Sequence, residues 1–169
     1  MGAADPITAT VSVDPLELRR CLGQFPTGVT IVTTTEGDGT PTGMTASSFN
    51  TLSLDPPLVL WSIDRKAGCF DAFDQGAHFA IHVLTEADQD LALRFASRGG
   101  DKFAGLAFEA GIGEVPLLDH YCARFECAVE NRFDGGDHVI LVGRVQRMTT
   151  RSAAPLVFHR GNYSRLETT

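Results

Sequence analysis

Basic charge is scarce in this sequence, and long apolar runs and zinc-type cysteine pairs are missing altogether. Against 21 acidic residues stand 14 lysines and arginines, a net charge of −7, with no basic run to offset it. General nucleic-acid binding and attachment to anionic membranes are therefore not expected. A local anion site built from a few Arg, Lys and backbone N–H groups stays open. No apolar run approaches the roughly 20 residues that a bilayer span requires. The N-terminus lacks the basic start, apolar middle and cleavage site of a signal peptide. The four cysteines, Cys21, Cys69, Cys122 and Cys127, form no CxxC, and no histidine sits at zinc-ligand spacing from them. Reduced, mostly buried thiols in a cytoplasmic protein are the expected reading, with no metal centre. Internal repeats, low-complexity tracts, a strand–GxGxxG–helix unit and a GxSxG elbow are also absent.

What is present fits one soluble globular domain. The chain has 169 residues, 43% apolar and 21% charged, enough for a sizeable core. Residues 1–13 are expected to be a loose tail and residues 14–169 one domain. Asp14 is a candidate N-cap, with Pro15 at the first helical position and Glu17 at N3. Leu18, Cys21, Leu22 and Phe25 follow at helical spacing. Strand patterns cover Val29–Thr35, Gly43–Phe49, Leu58–Ile63, His78–Leu84, Leu156–His159 and Tyr163–Leu166. The longest strand signals are Ala123–Phe133 and His138–Met148, joined by the turn Asp134-Gly135-Gly136-Asp137. On the first of these, Phe125, Cys127, Val129 and Phe133 are expected on one face and Arg124, Glu126 and Glu130 on the other. Short helices are expected at Cys69–Phe73 and Glu86–Ala96, and Arg98–Leu118 reads as irregular and Gly-rich. Turns rather than long crossovers link most strands. The expected fold is mainly β, an antiparallel barrel with a few short helices.

Between Gly28 and Pro57, small hydroxyl residues stand where a core strand would carry bulky apolar ones: Thr45, Ala46, Ser47, Ser48, then Phe49, Asn50, Thr51 and Ser53. Small side chains let backbone N–H groups approach a ligand, and hydroxyls add rotatable donors. The pattern suits a phosphate or a flat, acceptor-rich heterocycle. Nucleophilic use of Ser47 or Ser48 has no supporting His–Asp pattern. His78 and His82 share a face on their strand but lie about 13 Å apart at normal strand rise, too far for easy joint ligation. His138 enters its strand directly after the Gly-Gly-Asp turn; it either presents its ring at a barrel rim or closes the turn on Asp137. Arg65 and Lys66, and Arg98 and Lys102, are either solvated loop charges or counter-charge for dinucleotide phosphates.

In order and spacing these segments resemble the short-chain flavin reductase family, the reductase halves of two-component flavin-dependent monooxygenases. The resemblance rests on FPTGVTIVTT at 25–34, GMTASSFNTLSLDPPLVL at 43–60, SxDRK at 62–66, FAIHVL at 79–84, KFAG at 102–105, GDHVILVGRV at 136–145 and PLVFHRGNY at 155–163. It covers nearly the whole chain, Leu18 to Leu166. It implies a Greek-key split β-barrel that forms a homodimer, binds FMN or FAD, and oxidises NADH or NADPH. Carried over by position, Met44, Thr45, Ala46, Ser47, Ser48 and Asn50 would line the isoalloxazine edge, Ser47 and Ser48 as donors. Ser62, Arg65 and Lys66 would lie toward the ribityl phosphate. Phe79, His82 and Val83 would pass near the flavin, and Lys102 and Phe103 would close over its tail. His138 would stand at the nicotinamide, with Arg160 and Tyr163 at the same cleft.

The implied chemistry needs no strong general base, since the cofactors carry the electrons and the protein orients two rings. The implied function is an NAD(P)H:flavin oxidoreductase supplying reduced flavin to a partner monooxygenase. Two other readings stand beside it: a flavin-binding split barrel without efficient turnover, and a reductase of another acceptor such as a corrinoid. A pure binder has no use for the Gly136-Asp137-His138 motif at a nicotinamide position, which favours the reductase.

Overall fold

The computed structural model describes residues 13–166. The expected tail at 1–13 falls outside that range apart from Val13. The first described element is helix α1 (Pro15–Leu22), capped as expected by Asp14, whose carboxylate accepts from Leu16 N. Among the described residues twelve strands follow: β1 (Thr27–Gly28), β2 (Thr30–Thr35), β3 (Pro41–Ala46), β4 (Asn50–Leu54), β5 (Pro57–Asp64), β6 (His78–Val83), β7 (Phe108–Ala110), β8 (Pro116–Leu118), β9 (Ala123–Gly135), β10 (His138–Thr150), β11 (Val157–His159) and β12 (Asn162–Ser164). Helix α2 (Phe70–Gln75) separates β5 from β6, and α3 (Gln89–Ala96) follows β6.

Every strand pair is antiparallel. Seven strands form the main sheet in the order β3-β2-β6-β9-β10-β5-β4, and β1, β11 and β12 form a small second one. The mainly β, antiparallel architecture with short helices is therefore the one the sequence predicts. Period-2 burial along β5 and β10 sends Val59, Trp61, Ile63, Val139 and Leu141 to one face, where Phe73, Phe79, Ile81 and Cys127 complete a core. A second core gathers Ile31, Leu84, Phe95, Phe103, Leu118 and Leu156. Strand β2 is buried at all but its last residue, and its threonines survive there by donating to carbonyls: Thr30 to Ala46 O, Thr33 to Pro116 O and Thr34 to His78 O, at 2.6–2.9 Å. A buried hydroxyl so paired avoids the cost of an unmet donor.

Several expectations need correction. The strand expected through Phe49 ends at Ala46, and a separate strand, β4, begins at Asn50. The Gly-rich segment 98–118 contains the β7–β8 pair. Along β9 the register slips between Val129 and Asn131, leaving Glu130 as an extra residue, so Phe133 changes face and is exposed. Such a bulge reverses every side chain beyond it. Glu126, expected outward, is buried and held by Arg147 at 2.5 Å and by the Ile112 amide. These bonds keep its carboxyl below the usual range, against the burial that would raise it. All four cysteines are free thiols.

Candidate active site

The stretch 45–48 lies where β3 runs out. Its alternation turns Met44 and Ala46 toward the first core and Thr45 toward α3, where Thr45 Oγ1 donates to Ala92 O at 2.6 Å. Gly43 has no room for a side chain: a Cβ would stand 2.7 Å from Val32 O and 3.3 Å from the Phe95 ring. Its carbonyl and that of Phe95 receive the Lys102 ammonium at 3.2 and 2.8 Å, and burial lowers the pKa of that amine. Past Ala46 the ladder stops. The amides of Ser47, Ser48 and Phe49 donate to no other group among the described residues. Ser47 is exposed.

Ser48 is the hinge of the site. Its hydroxyl donates to Ser62 O at 2.9 Å and accepts from Ser62 N at 3.0 Å, pinning the segment to β5. From Ser62 the strand continues to Asp64, whose carboxylate accepts the Lys66 amide at 2.8 Å and shapes the following turn. The Arg65 amide donates to Asp137 O at 3.0 Å, and its guanidinium pairs with Asp134 and lies over the Phe70 ring. His138 is in register with Asp64 on the neighbouring strand, and the turn before it is closed by Gly136 at φ 74°. Its Nδ1 meets Asp137 Oδ1 at 2.7 Å, and 41% of the side chain is exposed. This bond holds the Asp137 carboxyl below its usual range. With Nδ1 so engaged, Nε2 is the ring nitrogen left to face a ligand.

The Ser48 clasp ties the 47–49 segment to one edge of β5 at Ser62, while Arg65, Lys66 and His138 gather where that strand ends, on its β10 side. The structure gives the other expected residues different places. Phe79 and His82 are fully buried and Val83 is half-buried. Phe79 packs on Trp61 and lies under Gly143, where a Cβ would come within 2.4 Å of its ring. His82 Nε2 accepts from Leu118 N at 3.0 Å, so Nδ1 carries the proton toward Ile31 O at 3.1 Å. Burial lowers its pKa to about 4, which keeps the ring neutral. Phe79 and His82 are thus core positions, whose side chains offer no free surface on the strand expected to pass near the flavin. Phe103 is likewise buried, edge-on to Phe95 and Phe108. The Ser48 hydroxyl gives its proton to Ser62 O, which leaves the Ser48 amide as the donor this residue can offer. Asn50 is exposed at the start of β4 and accepts from the Thr51 amide. Arg160 and Tyr163 belong to the small sheet. Arg160 binds Gln24 after α1, and Tyr163 packs on Phe158.

Sequence reasoning missed the two carboxylates at the cations. Asp134 and Asp137 were legible as a hairpin turn, and their sign, opposite to Arg65-Lys66, was the available signal. Among the described residues no three His, Cys, Asp or Glu side chains converge to hold a metal ion, and no helix is long and apolar enough to cross a membrane.

Free amides beside small side chains follow β3, and Arg65, Lys66 and a ring nitrogen of His138 lie where β5 and β10 meet at the rim of the antiparallel sheet. Comparison with known proteins supplies a family. The profile of the flavin reductase like domain matches residues 22–167, and the chain belongs to that family. It is 46% identical over 147 residues to the FMN reductase (NADH) SmoA of Agrobacterium fabrum, covering 87% of this chain and 83% of that protein. It is 43% identical over 147 residues to the reductase component of the flavin-dependent trigonelline monooxygenase of Acinetobacter baylyi, covering 87% of this chain. There the chain spans about half of the relative, 47% of its length. Among solved structures, the NADH:FAD oxidoreductase SgcE6 of Streptomyces globisporus, in complex with NAD and FAD fragments, superposes with a TM-score of 0.86 at 36% identity, over 92% of this chain and 96% of that one. The trigonelline relative and HsaB of Rhodococcus jostii are named as the reductase component or subunit of flavin-dependent monooxygenases, and BorF as the flavin reductase component of a bacterial two-component tryptophan halogenase.

Proposed function

We propose that this protein is an NAD(P)H:flavin oxidoreductase that reduces FMN or FAD and hands the reduced flavin to a separate monooxygenase. The observation that carries the reading is the end of β5: unpaired amides at Ser47–Phe49 are clasped through Ser48 to this strand, and the turn that follows it carries Arg65 and Lys66 beside the turn before His138. When bound, the flavin supplies the hydride-accepting ring. The 47–49 amides and the Ser47 hydroxyl would hold the acceptor edge of that ring and stabilise its negative charge once reduced. Arg65 and Lys66 would take its phosphate, and Lys102, in the loop after α3, reaches the Gly43 carbonyl of β3. His138, oriented by Asp137, would position the nicotinamide through Nε2.

Residues 14–169 act as one unit in this reading, as a homodimer in the cytoplasm. Leu22 and Phe25 at and just beyond the end of α1 are 66% and 72% exposed, and Leu54 on the edge strand β4 is 97% exposed. Apolar surface of that kind suits a second copy of the chain, and four free thiols suit a reducing compartment. The functional test is oxidation of NADH and NADPH with FMN, FAD and riboflavin as acceptors. Flavin-dependent turnover supports the proposal; no turnover with any pair would sink it. Light scattering at known concentration tests the dimer.

A further inference from the structure

Lys102 is a cation that the family resemblance would set over the flavin tail, yet its ammonium is already committed. Nζ donates to Phe95 O at 2.8 Å and to Gly43 O at 3.2 Å, which uses two of its three N–H donors. We propose that Lys102 is a positioning residue: it bolts α3 to β3, so setting the free amides of residues 47–49, and leaves the ligand's phosphate to Arg65 and Lys66. This rests on the flavin reductase reading above.

Three observations carry it. The first is the pair of acceptors. Phe95 and Gly43 are both buried residues. Phe95 lies in the last turn of α3, where carbonyls lack an amide partner within the helix and the helix dipole favours a cation. Swinging the ammonium out to a phosphate would strand both carbonyls. The second is how the lysine is held. Its neighbour Phe103 is buried edge-on to Phe95, and the Phe103 amide donates to Asp101 Oδ1 at 2.9 Å. Arg94, on α3, donates through Nη2 to Ala104 O. The loop is thus anchored just beyond Lys102 to the same helix that Lys102 binds. The third is the strand. Among the described residues β3 is an edge strand that pairs with β2 alone. Gly43 and Thr45 share one face of it by alternation. On that face a Cβ at Gly43 would stand 3.3 Å from the Phe95 ring, and Thr45 Oγ1 donates to Ala92 O at 2.6 Å. Beyond Ala46 the ladder ends, and Ser48 is clasped to Ser62. The run that carries the free amides is therefore held at Gly43, Thr45 and Ser48, and Lys102 supplies the first hold. Ser47 lies four residues beyond Gly43, about 13 Å at strand rise, so Lys102 acts on it through the strand.

The test titrates the full chain with FMN and with riboflavin, which has the same ring and no phosphate, in the native protein, Lys102→Met and Thr45→Val. A positioning role predicts that Lys102→Met weakens both flavins alike, by about tenfold, with the ratio of the two affinities unchanged. Thr45→Val frees Ala92 O at the next point of the same seam and leaves every cation in place; it weakens both flavins in the same sense. Added salt lowers FMN affinity by the same factor in the native protein and in Lys102→Met. FMN weakened alone in Lys102→Met, with riboflavin unchanged and a smaller loss to salt, would overturn the proposal and make Lys102 a phosphate ligand. A lower melting temperature with both affinities unchanged would overturn it too, leaving a bolt with no bearing on the site. Where Lys102→Met does not fold, Lys102→Gln, which keeps a donor for one carbonyl without the charge, carries the same comparison. A native protein that binds neither flavin refutes the reductase reading itself; a native protein that binds both, with FMN alone lost in the variant, refutes only the role given to Lys102.

Discussion

Acidification isolates His82, because its environment permits only the neutral ring. The imidazole is fully buried, with Nδ1–H directed at Ile31 O and Nε2 accepting from Leu118 N. The charges around it are Arg124, Glu126 and His120. Its pKa in the folded protein is about 4, against 6.5 for a free imidazole, and burial is the main cause. For a base whose folded pKa is depressed, the unfolded chain binds the proton first. Stability is therefore full above about pH 6.5 and is lost as pH falls toward about 4. Each pH unit in that window removes roughly 1.4 kcal/mol, or about 3 kcal/mol across it, an appreciable part of a typical domain's stability. The assay is urea unfolding followed by fluorescence of the single Trp61, at fixed protein concentration, through the pH series. His82→Gln serves as a reference that cannot titrate. It will be less stable at neutral pH, because Gln cannot reproduce both hydrogen bonds. Its stability should fall less steeply than that of the native protein between about pH 6.5 and 4. Equal slopes would refute the placement of His82 as a neutral core residue.

Other substitutions probe the strand edge. Ser48→Ala should cost about 1–3 kcal/mol of folding stability by leaving Ser62 N and O unmet, and Ser47→Ala should instead weaken flavin binding by about 0.5–1.5 kcal/mol; thermal unfolding and flavin titration separate the two. His138→Ala should slow flavin reduction roughly 10–100-fold by releasing the nicotinamide from its aligned pose, with a much smaller change in flavin affinity; equal losses would make His138 a flavin or structural residue. Asp134 is 90% exposed and occupies Arg65, so Asp134→Asn should tighten FMN about two- to fivefold, the range of an exposed ion pair. Riboflavin, which lacks the phosphate, should bind as before, and a parallel gain for both would sink the competition between Asp134 and the phosphate.

Local chemistry made much of this fold legible. Asp14-Pro15 announced α1, and alternation announced β5, β9 and β10, because capping and period-2 burial depend on neighbours in sequence. What stayed hidden depends on distant partners. The break after Ala46 coincides with the Ser48 clasp to Ser62, 14 residues away. The bulge at Glu130 shows only in the pairing with β10. Glu126 reads as a solvent-facing charge until Arg147 is seen closing over it. The helical spacing of Leu18, Leu22 and Phe25 marked an apolar face truly, but the single chain leaves that face outside. At the site, the family resemblance pointed to the 45–48 segment, Arg65, Lys66 and His138. It could not tell the side chains at the site from those behind it: Phe79 and His82 lie in a segment shared with the family, yet point into the core.

The central claim is hydride transfer to flavin at the Ser47–His138 edge. Mixing the protein with oxidised FMN or FAD and then with NADH or NADPH, without oxygen, tests it most directly through the visible absorbance of the flavin. The account predicts rapid bleaching with at least one pair, slowed in His138→Ala and preserved in His82→Gln where that variant is folded. Flavin that binds but is never bleached by either nucleotide would contradict it and leave this chain a flavin carrier.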